Sequence, residues 1–473
     1  MLFNSFEFFV FLAIVLVCYR SLGHLNQNRV LLIASYFFYG AWDYRFLSVL
    51  ILSTLVDYYV AFQISGTDAN SKKKTWLLLS LFINLGLLAF FKYYGFFSRE
   101  FAVFLKNIGI PVSIPYLNVI LPVGISFYTF QKLSYIIDVY RKTTSPARDI
   151  LDFALYVSFF PQILAGPIAR ASLLLPQIIF QRSQRSTDFQ DGLYHVILGL
   201  FQKVVIADNM AIIVNTIFHS DPSYLTGSEC LVGMYAFAFQ IYGDFAGYSS
   251  IAKGVAKWLG FDLMTNFNGP YLSASPREFW HRWHISLSTW LRDYIFIPLG
   301  GSRGRRLTTY RNLMITMVLG GLWHGAAWTF ILWGAFHGVL LAGQRWIEEA
   351  VLRRKIEEAP PLIRGAMVVV TFHLITLGWL LFRADSIEQA KVMTTLLATN
   401  FTVTSFAISS FSMILFYVSP LLVYEWWRAN TSLVDQPTKT LNPLTNAATL
   451  SYCTVMLLLF APPETHEFIY FQF

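Results

Sequence analysis

Charged residues are scarce in this sequence of 473 residues. Only 13% are Asp, Glu, Lys or Arg, whereas 55% are hydrophobic and the mean hydropathy is +0.51. Soluble domains carry roughly 25% charged residues, so about half of the usual solvating charge is missing. This composition excludes an ordinary soluble globular domain, because no protein core buries so much apolar surface. The sequence therefore indicates an integral membrane protein.

Cysteine is also rare. The three cysteines, Cys18, Cys230 and Cys453, are scattered through apolar segments, which gives neither a disulfide framework nor a thiolate cluster. Zinc needs three or four ligands, and neither an H-E-x-x-H pattern nor clustered acidic residues accompany the histidines. A metal site is weakly supported, and the sequence predicts no metal and no bound cofactor.

Positive charge is concentrated in four short loops. The net charge of +8 alone would suggest nucleic-acid binding, but the distribution of the charge along the chain indicates otherwise. Basic residues gather at 71–74, 141–148, 300–311 and 345–355, between apolar stretches. That distribution is typical of cytoplasmic loops of membrane proteins, so we expect no nucleic-acid partner. Placing these loops in the cytoplasm puts both ends of the chain on the extracytoplasmic side.

Apolar stretches of about 20 residues, long enough to cross a bilayer, recur along the chain. Examples are "EFFVFLAIVLVCYRSLG", "FLSVLILSTLVDYYVAFQIS", "WLLLSLFINLGLLAFFKYYGFF" and "GAMVVVTFHLITLGWLLF". We expect an all-α polytopic bundle of roughly ten to twelve spans. No linker or appended domain interrupts it, so the sequence predicts one domain over residues 1–473.

The middle of the chain, about residues 116–345, differs from the rest because polar, Gly and Pro residues interrupt its apolar runs. Examples are "LPVGISFYTFQKLSYIIDVYR", "FFPQILAGPIAR" and "FQIYGDFAGYSSIAKGVAKWLG". Broken backbone at membrane depth is tolerated only where it is buried in protein or lines a water-filled cavity. We therefore expect the catalytic core, with a polar chamber, in this region.

Two histidine-containing segments carry the chemical signal. In "SPREFWHRWHISLSTWLRDYIFIPLGG", Ser275 fits a helix N-cap because it is followed by Pro276 and Glu278. This start predicts a helix that carries His281 and His284 on one face. In "NLMITMVLGGLWHGAAWTFILWGAFHGVLL", His324 lies within an apolar run beside glycines. An ionisable residue inside a span is a functional hypothesis by default.

Simpler roles stand beside this hypothesis. A lone intramembrane histidine can hydrogen-bond a neighbouring helix, and His281 fits a headgroup-level surface position. His337, further along the same apolar run, suits a packing or hydrogen-bonding role. A buried neutral imidazole acting as a general base still fits His324 best, because desolvation keeps it uncharged.

With these residues the chain resembles the membrane-bound O-acyltransferase (MBOAT) family, in the bacterial branch typified by the alginate O-acetyltransferase membrane subunit. The resemblance runs over most of the chain. Its most specific segments are "REFWHRWHISLSTWLRDYIFIPLGGSRG" and "GLWHGAAWTFILWGAFHG". It implies a helical bundle around a funnel or tunnel, with a thioester donor entering from the cytoplasm. It also implies that His324 is the principal catalytic residue and His284 its partner.

The chain ends with "EFIYFQF", residues 467–473, which we name the tail segment. It resembles the F-x-Y-x-x-F motif of a small partner protein in the bacterial D-alanylation of teichoic acids, with Phe468, Tyr470 and Phe473 in the motif positions. The resemblance implies that Tyr470 is an acyl carrier that enters the tunnel from outside. Anchoring of these aromatic residues at the bilayer interface is the simpler alternative.

Together these features predict an O-acetyltransferase of the bacterial inner membrane that uses acetyl-CoA as donor substrate. Its final acceptor would be an envelope glycan, either an alginate- or cellulose-like exopolysaccharide or peptidoglycan, reached with a periplasmic SGNH/esterase-like partner. Their charge and position make Arg282, Arg292 and Arg303 candidates for binding the phosphates of the donor. Trp323 is a further candidate for substrate binding. Two alternatives stay open: a glycan transporter or flippase, and a lipid or protein acyltransferase of the same fold.

Overall fold

The computed structural model describes residues 1–110, 117, 119–164, 166–183, 185, 187–430, 442–463 and 467–469. These residues form α-helices joined by turns and by short π-helical and 3₁₀ segments, and they contain no strand. The prediction of an all-α polytopic protein is confirmed.

The chain folds into two compact units. The first comprises Met1–Gly192 and Val255–Met264, and the second comprises Leu193–Gly254 and Thr265–Phe473. The prediction of one domain over residues 1–473 stays a prediction.

The helices up to Ile179 lie in the first unit. They are α1 (Phe6–Arg20), α2 (His24–Asp43), α3 (Arg45–Ser65), α4 (Asn70–Leu88), α5 (Tyr94–Asn107), α6 (Ile125–Tyr140), α7 (Ile150–Ser158), α8 (Phe160–Ile163) and α9 (Ala171–Ile179). A π-helical segment, Ala89–Tyr93, joins α4 to α5 without a break. The next helices along the chain are α10 (Asp188–Leu200), α11 (Asp208–Phe218), α12 (Gly227–Trp258), α13 (Pro276–Arg282), α14 (Ile285–Leu291), α15 (Arg306–His324), α16 (Trp328–Ile347), α17 (Pro361–Arg383), α18 (Ile387–Thr399), α19 (Ser405–Asn430) and α20 (Pro443–Phe460).

Six helices in the described part of the chain are long and apolar enough to cross a membrane. They are Arg45–Ser65, Asn70–Asn107, Asp188–Phe218, Pro361–Arg383, Ser405–Ala429 and Pro443–Phe460. Three of the four apolar stretches quoted above fall within this set. The first stretch forms α1, whose 15 residues are shorter than a typical span. The total number of spans stays a prediction.

A buried polar cluster ties three helices of the first unit together. Asp57 of α3 lies 3.7 Å from the Nζ atom of Lys132 on α6. Ser80 and Asn84 of α4 donate hydrogen bonds to the Asp57 carboxylate at 2.5 and 2.9 Å. All four side chains are buried. Charged groups inside a membrane protein are tolerated when they are paired in this way, so the cluster fixes the register of α3, α4 and α6.

The closest helix pair of the second unit is the α15–α16 hairpin, and two glycines permit its close approach. A Cβ atom at Gly321 would lie 2.2 Å from the carbonyl oxygen of Phe330, and one at Gly334 would lie 2.3 Å from that of Met317. Only glycine fits where two helix backbones touch in this way. The hairpin holds the end of α15, where His324 lies.

Candidate active site

The helix that begins the histidine-rich segment starts as predicted but ends early. Ser275 accepts the backbone N–H of Glu278 at 3.1 Å, and Pro276 is the first helical residue. The helix α13 then stops at Arg282, so the prediction that His281 and His284 share a helical face is wrong. Trp283 is extended, and His284 is left-handed, with φ 41° and ψ 55°. This kink leaves His281 exposed and turns His284 inward, where it is fully buried.

Asn266 holds the kink at His284 through the following residues. Its backbone oxygen accepts the Ile285 N–H at 2.9 Å, and its side-chain oxygen accepts the Ser286 N–H at 3.1 Å. The same Oδ1 atom lies 3.3 Å from His284 Nδ1. Because an amide oxygen only accepts, this contact requires the proton on Nδ1 and leaves the lone pair on Nε2. Burial lowers the pKa of His284 to about 3, so its imidazole is neutral at physiological pH.

His324 is the last residue of α15 and is 3% exposed. Three aromatic rings meet its imidazole edge-on. The ring centroids of Trp323, Trp333 and Phe382 lie 4.9, 5.0 and 5.2 Å from that of His324. Trp323 is therefore a direct neighbour of the predicted catalytic histidine.

Trp323 also brings the two predicted catalytic histidines together. Its ring centroid lies 6.0 Å from that of His284 and 4.9 Å from that of His324. Residues 40 positions apart in the sequence thus share one aromatic neighbour in a buried site. The arrangement places two imidazoles, one with a defined tautomer, in a region that excludes water. Such groups accept and return protons when a substrate hydroxyl reaches them.

Phe468, in the described part of the tail segment, lies close to the same site. Phe468 is fully buried, and its ring lies 4.5 Å from that of Tyr248 and 5.7 Å from that of Phe245. Phe245 in turn packs edge-on against His284 at 4.6 Å. One phenyl ring therefore separates Phe468 from the histidine. The other two predicted tail residues, Tyr470 and Phe473, lie outside the described residues.

A pocket of about 900 Å³ adjoins the aromatic cluster at Trp280. Its volume is at the upper end of the range for small-molecule and cofactor sites. Trp280 lines the pocket, and its ring packs 5.7 Å from that of Trp333, a neighbour of His324. His324 is not among the lining residues, and Trp333 contacts both Trp280 and His324.

The pocket has an excess of positive charge. Its charged lining residues are Arg277, Arg292, Arg306, Arg345, Arg353, Arg354, Lys355, Glu348, Glu349 and Glu358. Some of this charge is neutralised, because Arg277 binds Glu348 at 2.9 Å and Arg345 binds Glu349 at 2.7 Å. Arg353, Arg354 and Lys355 are exposed. A basic rim around an apolar floor suits a ligand with an anionic head and a neutral chain.

The three arginines named from the sequence differ in position. Arg292 lines the pocket, next to Asp293, with which it pairs at 2.7 Å. Arg282 instead pairs with Glu278 at 2.8 Å and is not among the lining residues. Arg303 is exposed and also lies outside the lining. The structure adds the basic residues of 353–355, which the sequence analysis had assigned only to a cytoplasmic loop.

His281 lies at the rim of this pocket. The pKa of His281 is lowered, mainly because its partial burial removes water. The positive charges of Arg277 and Arg292 lower it further. His337 lies deeper, with its ring 5.2 Å from that of Trp280 and 4.8 Å from that of Trp333. No group of three or more His, Cys, Asp or Glu residues suited to a metal ion occurs in the part of the chain that the structure describes.

Asn266 is the site residue that the sequence analysis missed. It lies in "LMTNFNGPYLS", within a stretch that resembles the family, but only its bonds to residues 284–286 reveal its role.

Several known proteins are similar to this chain in sequence. The profile of the membrane-bound O-acyltransferase family matches residues 36–382. The probable alginate O-acetylase AlgI of Azotobacter vinelandii is 42% identical over 393 residues, which cover 82% of this chain and 76% of that protein. The peptidoglycan O-acetyltransferase of Helicobacter pylori is 37% identical over 433 residues, covering 85% and 80%.

The teichoic acid D-alanyltransferase of Bacillus subtilis is similar over a shorter stretch. It is 29% identical over 280 residues, which cover 56% of this chain and 69% of that protein. The family profile includes both histidine-containing segments, and the relatives with higher identity cover most of the chain. The chain therefore belongs to the membrane-bound O-acyltransferase family and is a multi-pass membrane acyltransferase.

Proposed function

We propose that the protein is an O-acetyltransferase that moves acetyl from cytoplasmic acetyl-CoA across the membrane to a glycan of the cell envelope. The names of the alginate O-acetylase and the peptidoglycan O-acetyltransferase support acetyl as the transferred group and an envelope glycan as the final acceptor. The basic loops support a cytoplasmic face for the donor, with both ends of the chain on the opposite side of the bacterial inner membrane.

One observation carries the proposal: a continuous line of ring contacts joins the basic pocket to the tail segment through both histidines. It runs from Trp280 through Trp333 to His324, with centroid separations of 5.7 and 5.0 Å. It continues through Trp323 to His284, and one further ring leads to Phe468. A donor bound in the pocket and a hydroxyl carried by the tail segment would meet at this pair of imidazoles.

The proposed first step acylates Tyr470. His324 accepts the phenol proton while the Tyr470 oxygen attacks the thioester carbonyl carbon, and the C–S bond breaks as the new C–O bond forms. The imidazolium then returns its proton to the departing thiolate, which leaves as CoA thiol. His284, held by Asn266 in one tautomer, orients the site and handles protons beside Trp323. Two covalent steps replace one difficult transfer across the membrane.

The order of acidities favours this sequence of transfers. A thiol has a pKa near 8.5 and a tyrosine hydroxyl one near 10, and a sugar hydroxyl is a weaker acid than both. A phenyl ester therefore lies between the thioester donor and the final alkyl ester in reactivity. Each transfer would pass the acetyl group to a hydroxyl whose conjugate base is a poorer leaving group than the one released.

The basic pocket is the proposed donor site. CoA carries an anionic nucleotide and a neutral pantetheine arm, which match the charged rim and apolar floor of the pocket. Arg292, Arg353 and Arg354 line the pocket and would bind its phosphates, whereas Arg282 and Arg303 lie outside the lining. The acyl end would pass Trp280 to reach His324, because Trp280 lines the pocket and packs on Trp333, a neighbour of His324.

The second step needs a partner. Acetyl-Tyr470 would present its ester on the extracytoplasmic side to a periplasmic SGNH/esterase-like acetyltransferase, which passes the acetyl group to the glycan hydroxyl. The glycan would be an alginate- or cellulose-like exopolysaccharide or peptidoglycan, in line with the two groups of named relatives.

The purified protein in lipid nanodiscs, supplied with labelled acetyl-CoA, tests this function. We expect label on the peptide that contains residue 470, no label in Tyr470→Phe, and at least a hundredfold slower labelling in His324→Ala. His373→Ala is the matched control, because this exposed histidine binds Tyr235 at 2.8 Å, away from the site, and should label normally. Equal labelling of wild type and Tyr470→Phe, or of wild type and His324→Ala, would contradict the proposal.

A further inference from the structure

A buried acidic residue next to the histidine site contacts the tail segment directly. The backbone N–H of Ile469 donates a hydrogen bond to Asp244 Oδ2 at 2.6 Å. Asp244 lies on α12 and is 2% exposed, and Ile469 is also 2% exposed. These two residues are 225 positions apart in the sequence, so the bond is a tertiary contact. A carboxylate that accepts a backbone N–H in a dry site forms one of the stronger hydrogen bonds in proteins.

The Asp244 carboxylate is fixed from its other side. Its Oδ1 atom lies 2.8 Å from Lys203 Nζ, and the same Nζ lies 2.8 Å from Asp208 Oδ1. All three side chains are almost fully buried. The Lys203 ammonium group thus joins the Asp244 and Asp208 carboxylates and fixes the orientation of Asp244. The other oxygen of Asp244 accepts the backbone N–H of the tail segment.

A π-helical segment and two close backbone contacts surround this cluster. Lys203 lies in the π-helical segment Phe201–Ala207, and such segments are frequent at functional sites. Asp244 is flanked by Gly243 and Gly247, where a Cβ atom would lie 2.7 Å from the carbonyl oxygens of Gln202 and Gly199. The pattern "GDFAG" thus lets α12 contact the Lys203 backbone and places a carboxylate at the contact.

The neighbouring residue of the tail segment is held by packing. The Phe468 ring fills a slot between Phe245 and Tyr248, which follow Asp244 on the same helix. Phe245 is also the ring that contacts His284 at 4.6 Å. Residues 244–248 of α12 therefore contact the side chain of Phe468 and accept the N–H of Ile469. Phe245 in the same stretch also contacts His284.

We propose that Asp244, supported by Lys203, is a positioning residue that docks the tail segment and thereby presents residue 470 to the histidine pair. Residue 470 follows Ile469 directly in the chain, and successive Cα atoms are about 3.8 Å apart. The consequence for catalysis rests on the proposed function, in which Tyr470 carries the acetyl group. The docking itself does not.

Hydrogen exchange at the Ile469 amide tests docking without any donor or turnover. Asp244→Leu keeps the branched shape of the side chain but accepts no hydrogen bond, and it leaves Lys203 paired with Asp208 in a neutral pair. We expect this variant to lose about tenfold or more of the amide protection seen in the full-length wild type. Asp208→Leu is the matched control, because it removes the other acid but keeps the acceptor, and protection should persist.

Two results would overturn the inference. One is unchanged protection of Ile469 in Asp244→Leu, and the other is equal loss in Asp244→Leu and Asp208→Leu, which would make the cluster a purely structural one. Loss of protection in Asp244→Leu alone supports docking even if Tyr470 never carries label. A failed labelling experiment therefore rejects the proposed function, and only the exchange experiment rejects docking.

A second variant leaves the buried cluster untouched. Ile469→Pro removes the N–H donor, whereas Ile469→Ala keeps it. At saturating acetyl-CoA we expect labelling of Tyr470 to be at least about tenfold slower in Ile469→Pro than in Ile469→Ala, with the same KM for acetyl-CoA in both. An equal rate in the two variants, or a difference confined to KM, would contradict a positioning role.

Discussion

The position of His324 depends on the contact between α15 and α16, and Gly321→Ala tests that dependence. Gly321 lies three residues before His324, one helical turn away on the same helix. An added Cβ atom would meet the Phe330 carbonyl oxygen at 2.2 Å and the Gly334 backbone at 3.1 Å. Backbone atoms cannot turn aside as a side chain does, so the two helices must separate to relieve the clash.

The expected effect on activity exceeds the effect on stability. Overpacking of a tight contact costs about 1–3 kcal/mol in the free energy of unfolding. A misplacement of about 1 Å in a catalytic group costs roughly a hundredfold in rate. The end of α15 carries both Trp323 and His324, so a shift there moves His324 relative to His284. We therefore predict a modest fall in melting temperature and a fall in kcat of about a hundredfold.

Gly343→Ala is the matched control for this prediction. It lies on α16 as well, but no atom is within 4 Å of an added Cβ. Replacing an unhindered helical glycine by alanine stabilises a helix by up to about 1 kcal/mol. Both variants are compared by thermal unfolding in nanodiscs and by the rate of transfer from labelled acetyl-CoA. Wild-type kcat in Gly321→Ala, or an equal loss in both variants, would refute the reasoning.

Three further predictions concern the site rim, the kink and the first unit. Asn266→Leu should lower kcat by roughly tenfold or more at unchanged KM for acetyl-CoA in steady-state assays, because the side-chain acceptor that orients His284 is lost. The double variant Arg353→Glu and Arg354→Glu should raise that KM about tenfold, and by less at high salt, because exposed charges are screened. Lys132→Met should lower the free energy of unfolding in denaturant titrations by about 3–5 kcal/mol, and Asp57→Leu in the same chain should restore much of it. An unchanged kcat in Asn266→Leu, an unchanged KM in the double arginine variant, or an unchanged free energy of unfolding in Lys132→Met would contradict the role given to that residue.

Local signals in the sequence were enough for the fold class and for single elements. Low charge and long apolar stretches predict a polytopic helical protein, and the start of α13 at Ser275 follows from a capping pattern within four residues. The left-handed turn at His284 was not predictable in this way. It depends on hydrogen bonds from Asn266, which is 18 positions earlier, and helical spacing alone suggested a continuous helix.

Contacts between residues that are distant in the sequence also determine the surroundings of the site. The resemblance pointed to His284 and His324, and the structure brings both to Trp323, but their catalytic roles stay predictions. The distant contacts had no local signature. The Asp244–Ile469 bond joins residues 225 positions apart, and the basic rim of the pocket needs residues 353–355 to fold back beside α13. Such contacts are set by tertiary packing, which composition and periodicity do not encode.

The central claim is that a donor from the basic pocket meets a hydroxyl from the tail segment at the buried histidine pair. A cryo-EM structure of the full-length protein with a non-reactive ketone analogue of acetyl-CoA tests it most directly. We predict the phosphates beside Arg353 and Arg354, a displaced Trp280, and the carbonyl of the analogue against His324. An analogue bound with its carbonyl away from His324, while Trp280 keeps its place against Trp333, would contradict the account.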